Sequence, residues 1–249
     1  LPGDYKSIAE DPDGNLWLST AHGLAVLRVG AVRAYGKPEG LLSENSSVVL
    51  EDRQHRVWIG AGNGLFVLSG PGLRQSAKLT GLPPLMPSAL HEDASGRLWV
   101  GLRGAIGWID GNRFRPLYDQ SGPVQEQVLS LTTDREGALW AGTTRGVFRF
   151  HRGQRQVFDR AEGLQNNLAG TLQTDREGKV WAGTNDGLFV WDGQRFRPRH
   201  LPTGAIRGVY LDPEGTEWVG TAGDGLYWFR HGQLHHASTR EGLPSDYVG

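Results

Sequence analysis

Apolar and polar positions alternate along this chain in short runs, and each run closes on a Gly, Asp or Asn. In residues 97–101 and 106–109 the alternation is of period two, which predicts strands rather than helices. The runs 88–92 and 113–118 read the same way. Between them stand Asp93–Gly96 and Asp110–Asn112, where an Asp side chain can bond nearby backbone and a Gly can take positive φ, so both are predicted tight turns. Four antiparallel strands in about 40 residues is the size of one propeller blade.

The pattern then repeats. Trp17, Trp58, Trp99, Trp140 and Trp181 are each 41 residues apart, and Trp218 follows after 37. An Asp stands six residues before every one of them, at Asp11, Asp52, Asp93, Asp134, Asp175 and Asp212. Gly60, Gly101, Gly142, Gly183 and Gly220 stand two residues after; the first copy has Ser19 there. A Gly also fills the turn three residues before Trp, except that the second copy has His55. One four-stranded sheet cannot hide both its faces, so six copies are expected to stack radially with their Trp residues in the layer between sheets. Burying one Trp removes 150–250 Å² from water, roughly 4–6 kcal/mol as an upper bound. Six Asp residues in equivalent turns point to turn stabilisation, not catalysis.

The expected fold is therefore all-β: a single β-propeller domain over 1–249, with six four-stranded antiparallel blades. Residues 1–5, Leu-Pro-Gly-Asp-Tyr, resemble 243–247, Leu-Pro-Ser-Asp-Tyr. A closed six-bladed ring is the first expectation, and a segment of a seven-bladed or longer array the alternative.

Composition narrows the function. Twenty-six basic and 27 acidic residues leave a net charge of −1, with no basic excess to draw a phosphate backbone. Nucleic acid is not an expected partner. No apolar run approaches the ~20 residues of a membrane helix, so any membrane link would run through parts of a parent protein outside this chain. No leader is visible at Leu1. With no cysteine there is neither disulfide nor thiolate metal site. The chain holds no Gly-x-Ser-x-Gly elbow and no phosphate loop, and its eight His residues show no His-Glu-x-x-His spacing. His235 and His236 are adjacent on an expected outer strand and point to opposite faces. His91 is expected on an inner strand. No catalytic residue, metal or cofactor is predicted, and the chain is not expected to be an enzyme.

Comparison of the copies with one another points to a binding site. Positions that are the same in every copy serve the scaffold; exposed polar positions that differ are open to recognition. The loop joining the second and third strands is the clearest case. Its tip carries His22, Asn63, Arg103, Arg145, Asp186 and Asp224. The connection to the next copy lies on the same rim and adds Glu44–Asn45, Gln125–Glu126, Gln165–Asn166 and residues 202–204. Arg103 and Arg145 have the chemistry to grip a carboxylate or sulfate. Asn63, Asp186 and Asp224 suit sugar hydroxyls. The ordinary alternative for each is a solvated loop residue.

The phrase at 51–60, Glu-Asp-Arg-Gln-His-Arg-Val-Trp-Ile-Gly, followed by Gly64-Leu-Phe-Val67, resembles the two-component regulator propeller repeat. So do residues 174–184 with Gly187-Leu-Phe189, and the linker at 162–167. The resemblance covers nearly the whole chain. It implies the periplasmic, sensing part of a membrane-bound bacterial histidine kinase or diguanylate cyclase, in which some members recognise oligosaccharides. The expected partners are then a small-molecule or oligosaccharide ligand and, through dimerisation, a second copy or a signalling domain. An interaction scaffold is the alternative. A lyase of the virginiamycin-lyase kind, with His91 or His22 as base and Mg²⁺ at the channel, is the third reading.

Overall fold

Period-two alternation does produce strands, and the turn residues set their lengths. The computed structural model describes residues 5–249 apart from 29–30, 40, 42, 44, 70–71, 76–78, 121, 165–167, 203 and 213. Glu44, Gln165, Asn166 and Thr203 lie outside the described residues, as do residues 1–4.

Twenty-four strands form six four-stranded sheets, each in sequential order. Sheet 1 holds β1 (Tyr5–Glu10), β2 (Leu16–Thr20), β3 (Gly23–Arg28) and β4 (Ala31–Tyr35). Sheet 2 holds β5 (Ser46–Glu51), β6 (Val57–Ala61), β7 (Gly64–Ser69) and β8 (Gly72–Gln75). In sheet 3 are β9 (Pro87–Glu92), β10 (Leu98–Leu102), β11 (Ala105–Asp110) and β12 (Arg113–Pro116). In sheet 4 are β13 (Val128–Thr133), β14 (Leu139–Thr143), β15 (Gly146–His151) and β16 (Gln154–Phe158). Sheet 5 comprises β17 (Ala169–Thr174), β18 (Val180–Thr184), β19 (Gly187–Trp191) and β20 (Phe196–Arg199). Sheet 6 comprises β21 (Ile206–Leu211), β22 (Glu217–Thr221), β23 (Leu226–Arg230) and β24 (Gln233–Ala237). The architecture is an all-β, six-bladed propeller of antiparallel four-stranded blades. Against the expected strand at 113–118, β12 ends at Pro116, although Leu117 N–H still donates to the Ile106 carbonyl at 2.8 Å.

The chain divides into two compact units. The first takes Leu1–Tyr118 and Gly122–Val128, the second Asp119–Ser121 and Leu129–Gly249. Within the first, Trp17 packs with Val26, Tyr35, Val49 and Ile59 in one apolar cluster that joins sheets 1 and 2. Within the second, Trp140, Phe158, Leu172, Phe189 and Phe196 join sheets 4 and 5. The second strands β6, β10, β14 and β18 are buried along their whole length. Five of the six repeat Trp residues are buried, as the spacing predicts; Trp218 remains half-exposed.

The repeated Asp does more than hold a turn. In every sheet its Oδ2 accepts the indole N–H of the Trp six residues on, at 2.7–2.9 Å. Its Oδ1 accepts backbone N–H groups inside the turn, such as those of Glu136 and Ala138 on Asp134, at 3.0 and 2.9 Å. One carboxylate thus satisfies the turn and the buried indole together. The Gly after Trp answers to a different need. A Cβ on Gly142 would sit 2.5 Å from the Ala169 carbonyl oxygen, so sheets 4 and 5 meet with no room for a side chain.

Candidate functional site

In an antiparallel blade the turn from second to third strand lies at the opposite end from the Asp turn. Four of these loops share one clasp. The hydroxyls of Thr20, Thr143, Thr184 and Thr221 end the second strands. Each donates to the carbonyl of the Gly that opens or precedes the third strand, at 2.8–3.0 Å. The same hydroxyls accept the backbone N–H of His22, Arg145, Asp186 and Asp224 at 3.0–3.2 Å. Ala61 and Leu102 replace this Thr in sheets 2 and 3. There the loop is tied to the incoming connection instead: Gly62 N–H donates to the Asn45 carbonyl at 3.1 Å, and Arg103 N–H to that of Met86 at 3.3 Å.

The clasp holds the backbone and leaves the tip side chains to solvent. His22, Asn63 and Arg103, on the three sheets of the first unit, are exposed, and Arg103 also forms a backbone bridge with Gln127. Lys6 at the start of β1 donates to the Asn45 side chain, which brings sheets 1 and 2 together beside the His22 loop. Lys6 was not singled out by its sequence, because the other copies have no charge at that position except Arg207.

In the second unit Arg145 and Asp186 are exposed and Asp224 is half-buried. Asp224 is already engaged. Tyr227 Oη donates to its Oδ2 at 2.6 Å, and His236 Nε2 lies 2.8 Å from its backbone carbonyl oxygen. Burial, then the bond to Asp224, pushes the Tyr227 phenol up to about 12, so it stays a proton donor at neutral pH. His235 and His236 do face opposite ways: one stacks on Trp228, the other on Tyr227. Next to Asp186, Arg207 Nη1 donates to Asn185 Oδ1 at 3.0 Å. Arg207, Asn185, Tyr227 and His236 are thus rim groups that comparison of loop tips alone did not reach. Pairing of β23 with β24 places Tyr227 opposite His236, a register visible only once the strands are aligned.

The rim presents guanidinium, carboxylate, amide, phenol and imidazole groups on rigid strand ends. Among the described residues no three His, Asp or Glu side chains gather in a way that could hold a metal ion. His91, on β9, is depressed to about 4, chiefly by burial; it is neutral at physiological pH and its strand pairs it with Trp99.

The family model described as two component regulator propeller matches residues 1–22. That match covers a segment about half a repeat long at the start of the chain. In architecture it is similar to the extracellular domain of the hybrid two-component system BT3049 from B. thetaiotaomicron, at 22% identity and a TM-score of 0.84. That match covers 98% of this chain and 35% of the other, so the chain spans about a third of that domain's length. It is also similar to the extracellular domain of the one-component system BT4673 from the same organism, at 19% identity over 95% of this chain and 41% of that one, with a TM-score of 0.64. Virginiamycin B lyase from Staphylococcus aureus shares the fold at 13% identity over 94% of this chain and 84% of the lyase, with a TM-score of 0.78. No curated protein matches the chain by sequence. At these identities the likenesses establish the propeller fold.

Proposed function

We propose that this chain is a non-catalytic, ligand-binding input module of a bacterial signal-transduction protein, working on the extracytoplasmic side of the membrane. Its ligand is an oligosaccharide or small anion held at the loops that join second and third strands. One observation carries this reading. Four loops are built on the same Thr–Gly clasp, yet their tips are His22, Arg145, Asp186 and Asp224. A constant frame with a different polar group at each tip is the arrangement recognition needs. The regulator-propeller repeat and the fold shared with BT3049 and BT4673 support a sensing role over a lyase one.

Calorimetric titration against acidic and neutral oligosaccharides tests it. Saturable binding that weakens in Arg103→Ala, Arg145→Ala or Asp186→Asn is the expected result. Unchanged binding in all three, or turnover of a ligand, would overturn it. Self-association that rises with concentration while every ligand fails would favour the scaffold reading.

A further inference from the structure

At the other end of sheets 4 and 5, wholly within the second unit, lies a cavity of about 680 Å³. It is bounded by the turn carrying Asp134–Glu136, the turn carrying Lys179 and the hairpin Asp192–Gln194. Corresponding grooves between sheets 1 and 2 and between sheets 5 and 6 measure about 330 and 250 Å³. The repeats supply an internal control for what makes this one different. Opposite the repeat Trp, the third strand carries Val26, Val67 and Val190 in sheets 1, 2 and 5 and Trp108 and Trp228 in sheets 3 and 6; sheet 4 alone places a charge there, Arg149. One position further along, sheets 1 to 3 have Leu27, Leu68 and Ile109 and sheets 4 and 6 have Phe150 and Phe229, whereas sheet 5 has Trp191, an indole with a polar N–H. Both departures line the enlarged groove.

Most of the charges around it are paired in place, while Arg135 and Glu162 stand exposed at its edge. Arg149 pairs with Glu136 at 2.7 Å and with Asp134 at 3.4 Å, and its Nη1 donates to Gln156 Oε1 at 3.3 Å. Lys179 pairs with Glu177 at 2.6 Å. What remains is a surface of alternating donors and acceptors around the half-exposed indole of Trp191, with Gln194 on the facing hairpin. An ionic ligand would have to break these pairs. A hydroxyl, which donates and accepts at once, can bridge them, and an indole provides the apolar patch for a C–H face. The volume lies within the range of small-molecule sites.

We infer that this groove is a second site, separate from the rim loops, and that it takes a neutral saccharide of a few units. The inference stands independently of the rim reading.

The test uses the full chain, with maltotriose and cellotriose as neutral probes, a chondroitin sulfate disaccharide as anion and chitosan trimer as cation. Binding is read by calorimetry and by tryptophan fluorescence. A neutral trisaccharide should bind with a Kd of about 1 mM or tighter. Trp191→Leu, which restores the residue of sheets 1 and 2, should weaken it by at least about tenfold. Gln194→Ala should weaken it as well, without lowering Tm, and serves if the Trp191 variant misfolds. Glu214→Gln, at an exposed turn residue that lines neither site, should leave it unchanged. Absence of neutral-sugar binding, binding of an ionic probe that is lost in Trp191→Leu, or sugar binding indifferent to Trp191 and Gln194 would each overturn the inference. Sugar binding lost in Asp186→Asn but intact in Trp191→Leu would sink this site and keep the rim reading; the reverse would keep this site and leave the rim to its own test.

Discussion

Asp134 Oδ2 accepts the indole N–H of Trp140 at 2.8 Å, and Trp140 is fully buried. The carboxylate is the indole's only hydrogen-bonding outlet in a packed seam, and it holds its own turn with the other oxygen. Asp134→Ala leaves a buried N–H unpaired and should cost about 2–4 kcal/mol. Asp134→Asn should cost nearly as much if its amide nitrogen faces the indole. The half-exposed Trp218 can turn to water, so Asp212→Ala should cost only about 1 kcal/mol. Urea unfolding of the three variants measures the order; equal costs at Asp134 and Asp212 would refute the burial argument.

The seam between sheets predicts its own intolerance. On Gly142 a Cβ would stand 2.4 Å from Ser130 Oγ and 2.5 Å from the Ala169 carbonyl oxygen. The serine can rotate away, but the carbonyl belongs to the backbone of β17. Gly142→Ala should therefore destabilise by about 1–3 kcal/mol through overpacking, while Gly137→Ala, with no atom within reach but positive φ, should cost about 1 kcal/mol from backbone strain alone. Thermal melting of the two variants separates steric from conformational cost.

Acid should unfold the protein in two stages. Burial, opposed weakly by Asp93 and reinforced by Arg53, lowers His91 from 6.5 to about 4. In that window the unfolded chain takes the proton and the folded chain does not, so stability falls as pH drops from about 6.5 to about 4, by about 1–3 kcal/mol. His91→Gln, which places there the residue sheet 5 has at Gln173, should flatten that stage. The second stage belongs to the turn carboxylates. Burial works against ionisation of Asp11, Asp52 and Asp93, but hydrogen bonds from the turn and the Trp indole outweigh it and hold each below its usual value. Their contribution is complete above about pH 4 and is lost as pH falls through the depressed values. Denaturant midpoints measured from pH 8 to 3 would show both stages; an H91Q profile identical to that of the parent would exclude the first.

Much of this was legible in the chain itself. The interval between Trp residues gave the sheet count, and the alternation gave four strands per repeat. Asp11 and its five equivalents were recognisable as turn residues, yet their bond to Trp was not, because nothing in a spacing of six says that the strand curls the indole back over its own turn. The tips His22 to Asp224 stood out by differing among copies. The Thr clasp beneath them was passed over because Ala61 and Leu102 interrupt its repetition. Tyr227 and His236 are brought to Asp224 by cross-strand pairing, a relationship between distant positions that a local pattern does not encode.

The clasp itself can be taken apart. Thr143 is buried, with its hydroxyl bonded to the Gly146 carbonyl at 2.9 Å and to the Arg145 N–H at 3.0 Å. Thr143→Val keeps the shape and removes both bonds, and should cost about 1–2 kcal/mol. The sheet should survive, since Ala61 and Leu102 fill the same position elsewhere. The loss should instead be local: the amide of Arg145 exchanges hydrogen faster, while those of β14 and β15 keep their protection. If Arg145 binds ligand from a pre-formed loop, Thr143→Val should weaken binding although the residue touches no ligand. Unaltered exchange at Arg145 in the variant would show that the Thr hydroxyl is not what holds the tip in place.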